Sequence, residues 1–394
     1  MLKTKKHNMI LLSVCVLLSM SVWFSASAIV PQLTEEWALS STLQAWLTMS
    51  VQIGFVVGAL LSAVLNLSDR YPAPKIMALS ALIAAVANAM IPLWSDGPTS
   101  ALVFRGITGA ALAGVYPPGM KIMASWCQKD RGKCVGILVG AVTIGSGMPH
   151  LLNALSNGNQ LLPAWQNVLF GTSVQALIAS FLAYFFLASG PFLGKGAPFD
   201  WKQATSGLRD RRTRLVNFGY FGHMWELYAV WAWAPIMLIA SFSQAGYSHT
   251  AAKLAGFGIF AIGGLGSYFA GIAADKIGRP TITIISLIVS GLCCISVGFF
   301  QSNPILLLVI CLIWGFFVIA DSAQFSAALT ELADSRYVGT ALQVQTSLGF
   351  LVTLITLQIT PILVEWVGFE WVFWILLPGP IFGIISMNAL RLRP

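Results

Sequence analysis

The stretch from Asn217 to Trp233 places two ionisable side chains inside a long run of mostly apolar residues. His223 and Glu226 are three positions apart, so on a helix they share a face, together with Tyr220. A charged side chain at the centre of a membrane costs about 2.5 kcal/mol or more, so it should face a partner or a water-filled path. A desolvated carboxyl group holds its proton more readily, which makes Glu226 a candidate proton carrier and His223 its candidate partner.

Two more charged residues lie within apolar runs. Arg105 keeps its charge at any working pH and shares a helical face with Tyr116, so it needs a carboxylate, backbone carbonyls or an anionic ligand. We expect it to anchor substrate or assist proton coupling; the alternative is a structural tie to a neighbouring helix. Asp321 aligns with Trp314 and Gln324 in a stripe that suits a wet cavity. Its alternative is capping or pairing within an inner gate.

Aromatic residues are abundant in the same runs and are harder to interpret. Trp23, Trp231 and Tyr228 could line a solute path, or could belong to interfacial belts and packing. His150, directly after Pro149, is expected near the membrane interface. The candidate residues for substrate binding or proton coupling are Arg105, Glu226, Asp321, His223, Tyr116, Gln324 and Trp23.

The composition indicates a polytopic membrane protein. Of the 394 residues, 57% are hydrophobic and 9% are charged, against roughly 25% charged in soluble domains. The net charge of +8 does not indicate a nucleic-acid partner, because the basic residues lie in short gaps between apolar runs. There is no phosphate-binding loop, metalloprotease motif or nucleophile elbow, so we expect no enzyme activity, catalytic residue, cofactor or metal. The six cysteines predict neither a zinc site nor a disulfide framework.

The apolar runs can be counted as membrane spans, since a helix needs about 20 apolar residues to cross the hydrocarbon core. The first run resembles a cleavable secretory signal, but we expect it to be retained as a helix. The sequence therefore predicts an all-α fold of twelve transmembrane helices. The predicted spans are 8–30, 43–66, 75–94, 99–125, 133–156, 165–189, 214–242, 250–272, 279–301, 304–330, 338–364 and 369–390.

The distribution of positive charge predicts the orientation. All but two of the 22 basic residues fall on one side when the spans are laid out in order. The exceptions are Arg105, within a span, and Lys253, on the opposite side. Basic loops stay in the cytoplasm, so we expect both termini to be cytoplasmic.

The chain also contains an internal repeat. The gap after the second span contains Asp69-Arg70, and the gap after the eighth contains Asp275-Lys276 followed by Arg279. Parallel repeats of this kind build many secondary transporters. We therefore predict two pseudo-symmetric six-helix bundles, residues 1–189 and 214–394, joined by a basic cytoplasmic linker at 190–213.

These features resemble the major facilitator superfamily in its prokaryotic form, with the subfamily left open. The family's loop signature, roughly G-x-L-A-D-R-x-G-R-R/K, is matched well from Gly271 to Arg279. The first copy matches only partly, because Tyr71-Pro72 stands where the signature has x-G. Arg105 and Gly109 match the family's fourth-helix signature. The resemblance implies a multi-pass protein of the plasma membrane, the inner membrane in bacteria. It also implies an inner gate that joins the two halves, or else plain orienting charges, at Asp69, Arg70, Asp275, Lys276 and Arg279.

Together these observations predict a monomeric secondary transporter that works by alternating access in the lipid bilayer. A cavity between the halves would be lined by the first, fourth, seventh and tenth helices. Arg105 would attract a small polar or anionic solute while Glu226 and Asp321 exchange protons, giving proton-coupled symport. The reverse assignment, a proton-coupled exporter of cationic drugs or metabolites, stays open. A transporter-like receptor or scaffold is a third possibility, although it would not need the intramembrane charges.

Overall fold

The computed structural model describes residues 4–65, 67–127, 130–156, 164–192, 206–333 and 337–392. Within these ranges the chain is helical, with no strand, which confirms the all-α prediction. Short 3₁₀ turns occupy Ser27–Ile29, Val297–Phe300 and Val372–Leu376. The α-helices are α1 (Lys5–Met20), α2 (Val30–Trp37), α3 (Ser41–Val64), α4 (Leu67–Arg70), α5 (Ala73–Trp94), α6 (Pro98–Leu112), α7 (Tyr116–Trp126), α8 (Arg131–Leu155), α9 (Ala164–Phe185), α10 (Ser206–Arg209), α11 (Arg211–Gln244), α12 (His249–Ile277), α13 (Arg279–Ser296), α14 (Pro304–Ala320), α15 (Ser322–Leu332), α16 (Val338–Trp371) and α17 (Pro378–Arg391).

Nine helical segments of the described chain are long and apolar enough to cross a membrane. The count differs from twelve because the first and fourth predicted spans are each interrupted, between α1 and α2 and between α6 and α7. The eleventh and twelfth predicted spans fall in one segment, Val338–Arg391. Gly368 turns the chain inside that segment with a φ of 68°, a conformation that glycine adopts without strain. The number twelve and the terminal orientation stay predictions.

Several helices begin at an earlier residue than the apolar runs predicted, because a side chain caps their first turn. Asp210 accepts a hydrogen bond from the backbone N–H of Thr213 at 2.9 Å, so α11 begins at Arg211, inside the basic segment expected to be linker. Ser248 caps α12 in the same way, through the N–H of Ala251. A cap satisfies N–H groups that have no partner within the helix, so it can begin a helix among polar residues. The linker residues 193–205 lie outside the described ranges.

The N-terminal part (residues 4–192) and the C-terminal part (residues 206–392) are called the two halves below. They meet most closely where α8 packs on α12. A Cβ atom added at Gly140 would lie 2.8 Å from the carbonyl oxygen of Gly264, and one added at Gly271 would lie 2.6 Å from that of Gly132. Only glycine allows the two backbones to approach this closely. The interface is therefore a sliding surface of small residues along both helices.

One expectation about cysteine is wrong. Cys127 and Cys134 form a disulfide across the turn between α7 and α8, with their Cα atoms 6.6 Å apart. No spacing pattern marked this pair, because the pairing depends on how the two helix ends meet at that turn. The remaining cysteines are free and buried: Cys15, Cys293, Cys294 and Cys311.

Candidate functional site

A cavity of about 50 Å³ lies where the two halves meet. The first, fourth, seventh and tenth predicted spans all contribute to its wall, as expected, and α3, α8 and α16 contribute as well. Of the predicted site residues, Trp23 and Tyr116 line it. The lining residues are Met20, Trp23, Phe55, Tyr116, Val139, Val142, Ser146, Tyr220, Met224, Leu227, Tyr228, Trp231, Ile319, Ser322, Thr346 and Phe350.

Seven aromatic side chains from both halves line the cavity, and we call five of them the aromatic cage: Trp23, Phe55, Tyr228, Trp231 and Phe350. The ring centroid of Trp23 lies 5.2 Å from that of Phe350 and 6.0 Å from that of Tyr228, and Phe55 lies 4.8 Å from Phe350. These are tilted contacts, the arrangement that aromatic pairs prefer. The cage therefore joins the two halves across the cavity.

Arg105 is fully buried and does not line the cavity. It donates to the carbonyl oxygens of Val22 at 2.7 Å and Leu47 at 3.2 Å, to Ser25 Oγ at 3.0 Å, and to the carbonyl oxygen of Trp23. Because α1 ends at Met20, the carbonyls beyond it lack helical partners. In this conformation Arg105 ties that non-helical turn to α6 and holds Trp23 in the cavity wall. This placement matches the structural alternative raised from the sequence.

Glu226 is 1% exposed and is enclosed by the C-terminal half. Its Oε1 accepts hydrogen bonds from Ser290 Oγ at 2.5 Å, from Trp314 Nε1 at 2.6 Å and from Cys294 Sγ at 3.1 Å. The structure therefore does not bring Glu226 together with Arg105. Ser290 and Cys294 were missed, although two polar groups at an i, i+4 spacing in an apolar span were a usable signal.

His223 and Asp321, both predicted, form a pair beside the cavity. Nδ1 of His223 lies 2.9 Å from Oδ1 of Asp321, and both side chains are 1% exposed. Asp321 sits at the junction of α14 and α15, between the cavity-lining residues Ile319 and Ser322. The other ring nitrogen of His223, Nε2, has no hydrogen-bond partner within the described ranges. A buried acid–base pair of this kind can take up or release a proton as a unit.

Gln324 and Arg279 belong to a second cluster, at the predicted cytoplasmic end. Arg279 donates to Gln324 Oε1 at 2.9 Å and to Glu331 at 2.6 Å, and it lies 3.5 Å from Asp275. Gln324 is therefore engaged away from the cavity wall. Glu331 was missed, although an acid at the end of an apolar span opposite a basic loop could have identified it.

Asp275 also joins the halves at this end. Its Oδ2 accepts from the backbone N–H of Lys133 at 3.3 Å, in the first turn of α8, where a carboxylate is favoured by the helix dipole. We call this contact the inner latch. Lys276 and Arg70 are exposed. Asp69 lies in α4, but its side chain is outside the described part of the structure.

The opposite end of α8 carries another contact between the halves. Lys253 of α12 donates to Asn153 Oδ1 at 2.9 Å, and Asn153 in turn donates to the carbonyl oxygen of Ala28 at 2.7 Å. We call the Lys253–Asn153 contact the outer latch. Lys133 and Asn153 are 20 positions apart on α8, which separates the latches by roughly 30 Å along the helix. The two halves are therefore in contact at both ends of α8.

His150 is also buried between the halves. It is 4% exposed, and its ring stacks on Phe260 of α12 with centroids 5.3 Å apart. Its Nε2 has no hydrogen-bond partner among the described residues. The sequence did not predict this burial, because the surroundings of His150 depend on the close packing of α8 against α12.

The chain is similar in sequence to two curated proteins. A gallate transporter of Pseudomonas putida is 23% identical over 347 residues, which covers 77% of this chain and 74% of that protein. An uncharacterized transporter of Buchnera aphidicola subsp. Schizaphis graminum is 28% identical over 155 residues. That match covers 39% of this chain and 37% of the Buchnera protein, well under two thirds of its length.

Solved structures share the fold. The proton:xylose symporter XylE bound to 6-bromo-6-deoxy-D-glucose superposes with a TM-score of 0.75 at 17% identity, covering 99% of this chain and 96% of that one. A partially occluded inward-open form of the xylose transporter XylE from E. coli gives the same TM-score and identity, with 99% and 98% covered. The sequence profile of the Major Facilitator Superfamily matches residues 12–243 and again 216–394. Both matches together span nearly the whole chain, and the chain belongs to the Major Facilitator Superfamily.

Proposed function

We propose that this multi-pass membrane protein is a proton-coupled symporter of a small polar or anionic solute, working by alternating access through twelve spans. The observation that carries the proposal is the cavity between the halves, with one latch at each end of α8. Opening the inner latch while the outer one holds would expose the cavity to one side only, and the reverse would expose it to the other. The small-residue interface between α8 and α12 supports such a rocking motion.

Proton coupling is assigned first to the His223–Asp321 pair. A proton added to Asp321 would remove the attraction between the two side chains and loosen the α14–α15 junction, which carries Ile319 and Ser322 of the cavity wall. Protonation and cavity shape would then be linked through one element. Glu226 is assigned as a second proton site, held within the C-terminal half. XylE, which shares the fold, is a proton:xylose symporter, and this supports the same direction of coupling here.

The polarity of the cavity supports an anionic or polar solute over a cationic one. Among the described lining residues none is Asp or Glu, so a cation would meet aromatic faces but no carboxylate. One feature supports export of cationic compounds, since the aromatic rings of the wall can hold a cation by cation–π attraction. The gallate transporter among the relatives also supports an anion. A receptor or scaffold would need neither the latches nor the buried acid–base pair.

The proposal is tested in proteoliposomes. With the external solution acidic relative to the lumen, radiolabelled gallate should accumulate above its equilibrium level, and a protonophore should abolish that accumulation. Xylose and a permeant cationic dye serve as comparison solutes. Accumulation of the dye only when the lumen is the acidic side, with no uptake of either other solute, would favour the exporter, because protons leaving the lumen then drive the dye inward. No proton-dependent flux of any of the three would contradict the proposed symport.

A further inference from the structure

The wall of the cavity is built from flat aromatic faces and very few aliphatic polar groups. Seven of the sixteen lining residues are aromatic, and the hydroxyl groups among them belong to Ser146, Ser322, Thr346, Tyr116, Tyr220 and Tyr228. A sugar-like solute, which needs a hydrogen-bond partner for each of its hydroxyl groups, would find mostly apolar surface in this wall. A planar ring would instead be matched by edge and face contacts on several sides.

Two hydrogen-bond donors in this wall have no protein partner. The indole N–H groups of Trp23 and Trp231 are buried, and neither has a hydrogen-bond acceptor within the described ranges. Both residues line the cavity and are at most 3% exposed. A buried donor without an acceptor is costly, so a solute that supplies an acceptor is favoured at this position. An indole N–H can only donate a hydrogen bond, so a solute group that must itself donate finds no acceptor at these two positions.

The charges near the wall also favour an acceptor with negative charge. Among the described residues that line the cavity none is Lys, Arg, His, Asp or Glu, so an ammonium group and a carboxylate alike would find no counter-ion in the wall itself. Behind Trp23 lies a buried cation, Arg105, whose guanidinium group donates to the backbone carbonyls of Val22 and Trp23. Its field reaches the cavity through poorly screened protein interior.

From these three features we infer that the transported solute is a small aromatic carboxylate. Its ring packs within the aromatic cage and its carboxylate accepts from the indole N–H groups of Trp23 and Trp231. The inference rests on the proposed transport function and names its substrate class. At about 50 Å³ the closed cavity is smaller than the roughly 150 Å³ that admits benzene in a protein interior, so the halves must separate before the ring enters.

The test is isothermal titration calorimetry on the purified full chain in nanodiscs, with three probes of similar size. Benzoate has both an aromatic ring and a carboxylate. Cyclohexanecarboxylate keeps the carboxylate without an aromatic ring, and benzylammonium keeps the aromatic ring without a carboxylate. We expect benzoate to bind at least about tenfold more tightly than either of the others. Equal binding of cyclohexanecarboxylate, or tighter binding of benzylammonium, would overturn the inference.

Two substitutions separate the ring from the N–H group. Trp231→Phe keeps an aromatic ring and removes the donor, so benzoate binding should weaken by about tenfold or more while its preference over benzylammonium shrinks. Phe350→Leu removes a ring and no donor, so the preference for benzoate over cyclohexanecarboxylate should shrink. Trp366→Phe, at a side chain 79% exposed on α16, is the matched control and should change neither ratio. Unchanged benzoate binding in Trp231→Phe would overturn the assigned carboxylate position.

The two proposals fail in different ways. If benzoate binds with the expected selectivity but is not carried across proteoliposomes, the substrate class stands and the transport function does not. If xylose or a non-aromatic anion accumulates with the pH gradient while benzoate and gallate neither bind nor compete, the transport function stands and the aromatic carboxylate class is overturned.

Discussion

His223 and Asp321 lie on different helices of the C-terminal half, and their Nδ1 and Oδ1 atoms are 2.9 Å apart. The pair is buried beside the cavity at the point where α14 gives way to α15. A titratable pair at a helix junction can change the local backbone when its charge changes, and in the proposed function that property would link proton binding to transport. The two residues were expected to be functional from their position in apolar spans, but not to be partners.

Asp321→Asn should uncouple the transporter. Asparagine keeps the size of the side chain and cannot bind a proton, so uptake driven by a pH gradient should fall by about tenfold or more. Exchange of labelled for unlabelled solute, which needs no net proton movement, should continue. Both are measured by flux in proteoliposomes. Asp130→Asn, the same change at the predicted cytoplasmic turn before α8, is the control and should leave both fluxes unchanged; full gradient-driven uptake in Asp321→Asn would remove this residue from coupling.

Glu226→Gln should fold normally but lower proton-driven accumulation. The glutamine Oε1 can still accept from Ser290 and Trp314, so solute binding and exchange should persist. Glu226→Ala strands these donors and should cost about 2–4 kcal/mol of folding free energy. Thermal unfolding separates the two variants from wild type, and proteoliposome uptake reports coupling. Accumulation at the wild-type level in Glu226→Gln would limit Glu226 to a structural role.

Substitutions at Arg105 distinguish its two interpretations. Arg105→Gln should cost about 3 kcal/mol or more, because the carbonyls of Val22 and Trp23 in the turn after α1, and that of Leu47 in α3, lose this donor. Arg105→Lys keeps the charge but not the fork of donors, so it should also lower the unfolding temperature and disturb Trp23. Thermal unfolding and benzoate calorimetry on both variants provide the test. Direct substrate anchoring would instead be favoured if both variants were fully stable, with Arg105→Lys binding anions normally and Arg105→Gln failing to bind them.

The ion pair between Lys5 and Asp130 should give a small dependence of stability on pH. The hydrogen bond from Lys5 Nζ, 2.7 Å long, lowers the pKa of the Asp130 carboxyl in the folded protein. Because the pKa of Asp130 is lower in the folded state, the ion pair stabilises the folded protein at pH values above the pKa of the unfolded chain, near 3.9. This stabilisation is lost as the pH falls through the pKa of the folded protein. Both side chains are 41% exposed, so the effect should be about 1 °C in unfolding temperature.

Lys5→Gln should therefore unfold at a slightly lower temperature than wild type at neutral pH and at the same temperature in strongly acidic buffer. Lys6→Gln is the matched control and should follow wild type at every pH. A difference between Lys5→Gln and wild type that persists unchanged in acid would show that Lys5 stabilises the protein by some other contact.

Sequence patterns predicted the helical class, the paired loop motifs and most residues of interest, because these depend on composition and local spacing. They did not predict the partners. Glu226 and His223 share a broad helical face, but three residues of rotation leave them about 60° apart, enough to face different neighbours. Glu226 therefore meets α13 and α14, while His223 meets Asp321.

Arg105 could not be placed from sequence, because a continuous first helix was assumed over 8–30. The carbonyls of Val22 and Trp23 accept from Arg105 because α1 ends at Met20 and a turn follows. The outer latch depends in the same way on the crossing of α8 and α12. Lys253, the lone basic residue on the predicted outer side, was the one signal in the sequence that marked it.

The central claim is that the two latches open alternately. It is tested most directly by spin-label distances between Arg131 and Ile277 at the inner end, and between Leu155 and His249 at the outer end, in a background without other reactive cysteines. Asn153→Ala should lengthen the outer distance and leave the inner one short, and Asp275→Ala, which removes the acceptor for the Lys133 N–H, should do the reverse. Lengthening of both distances together in either variant, or no change in both, would contradict alternating access.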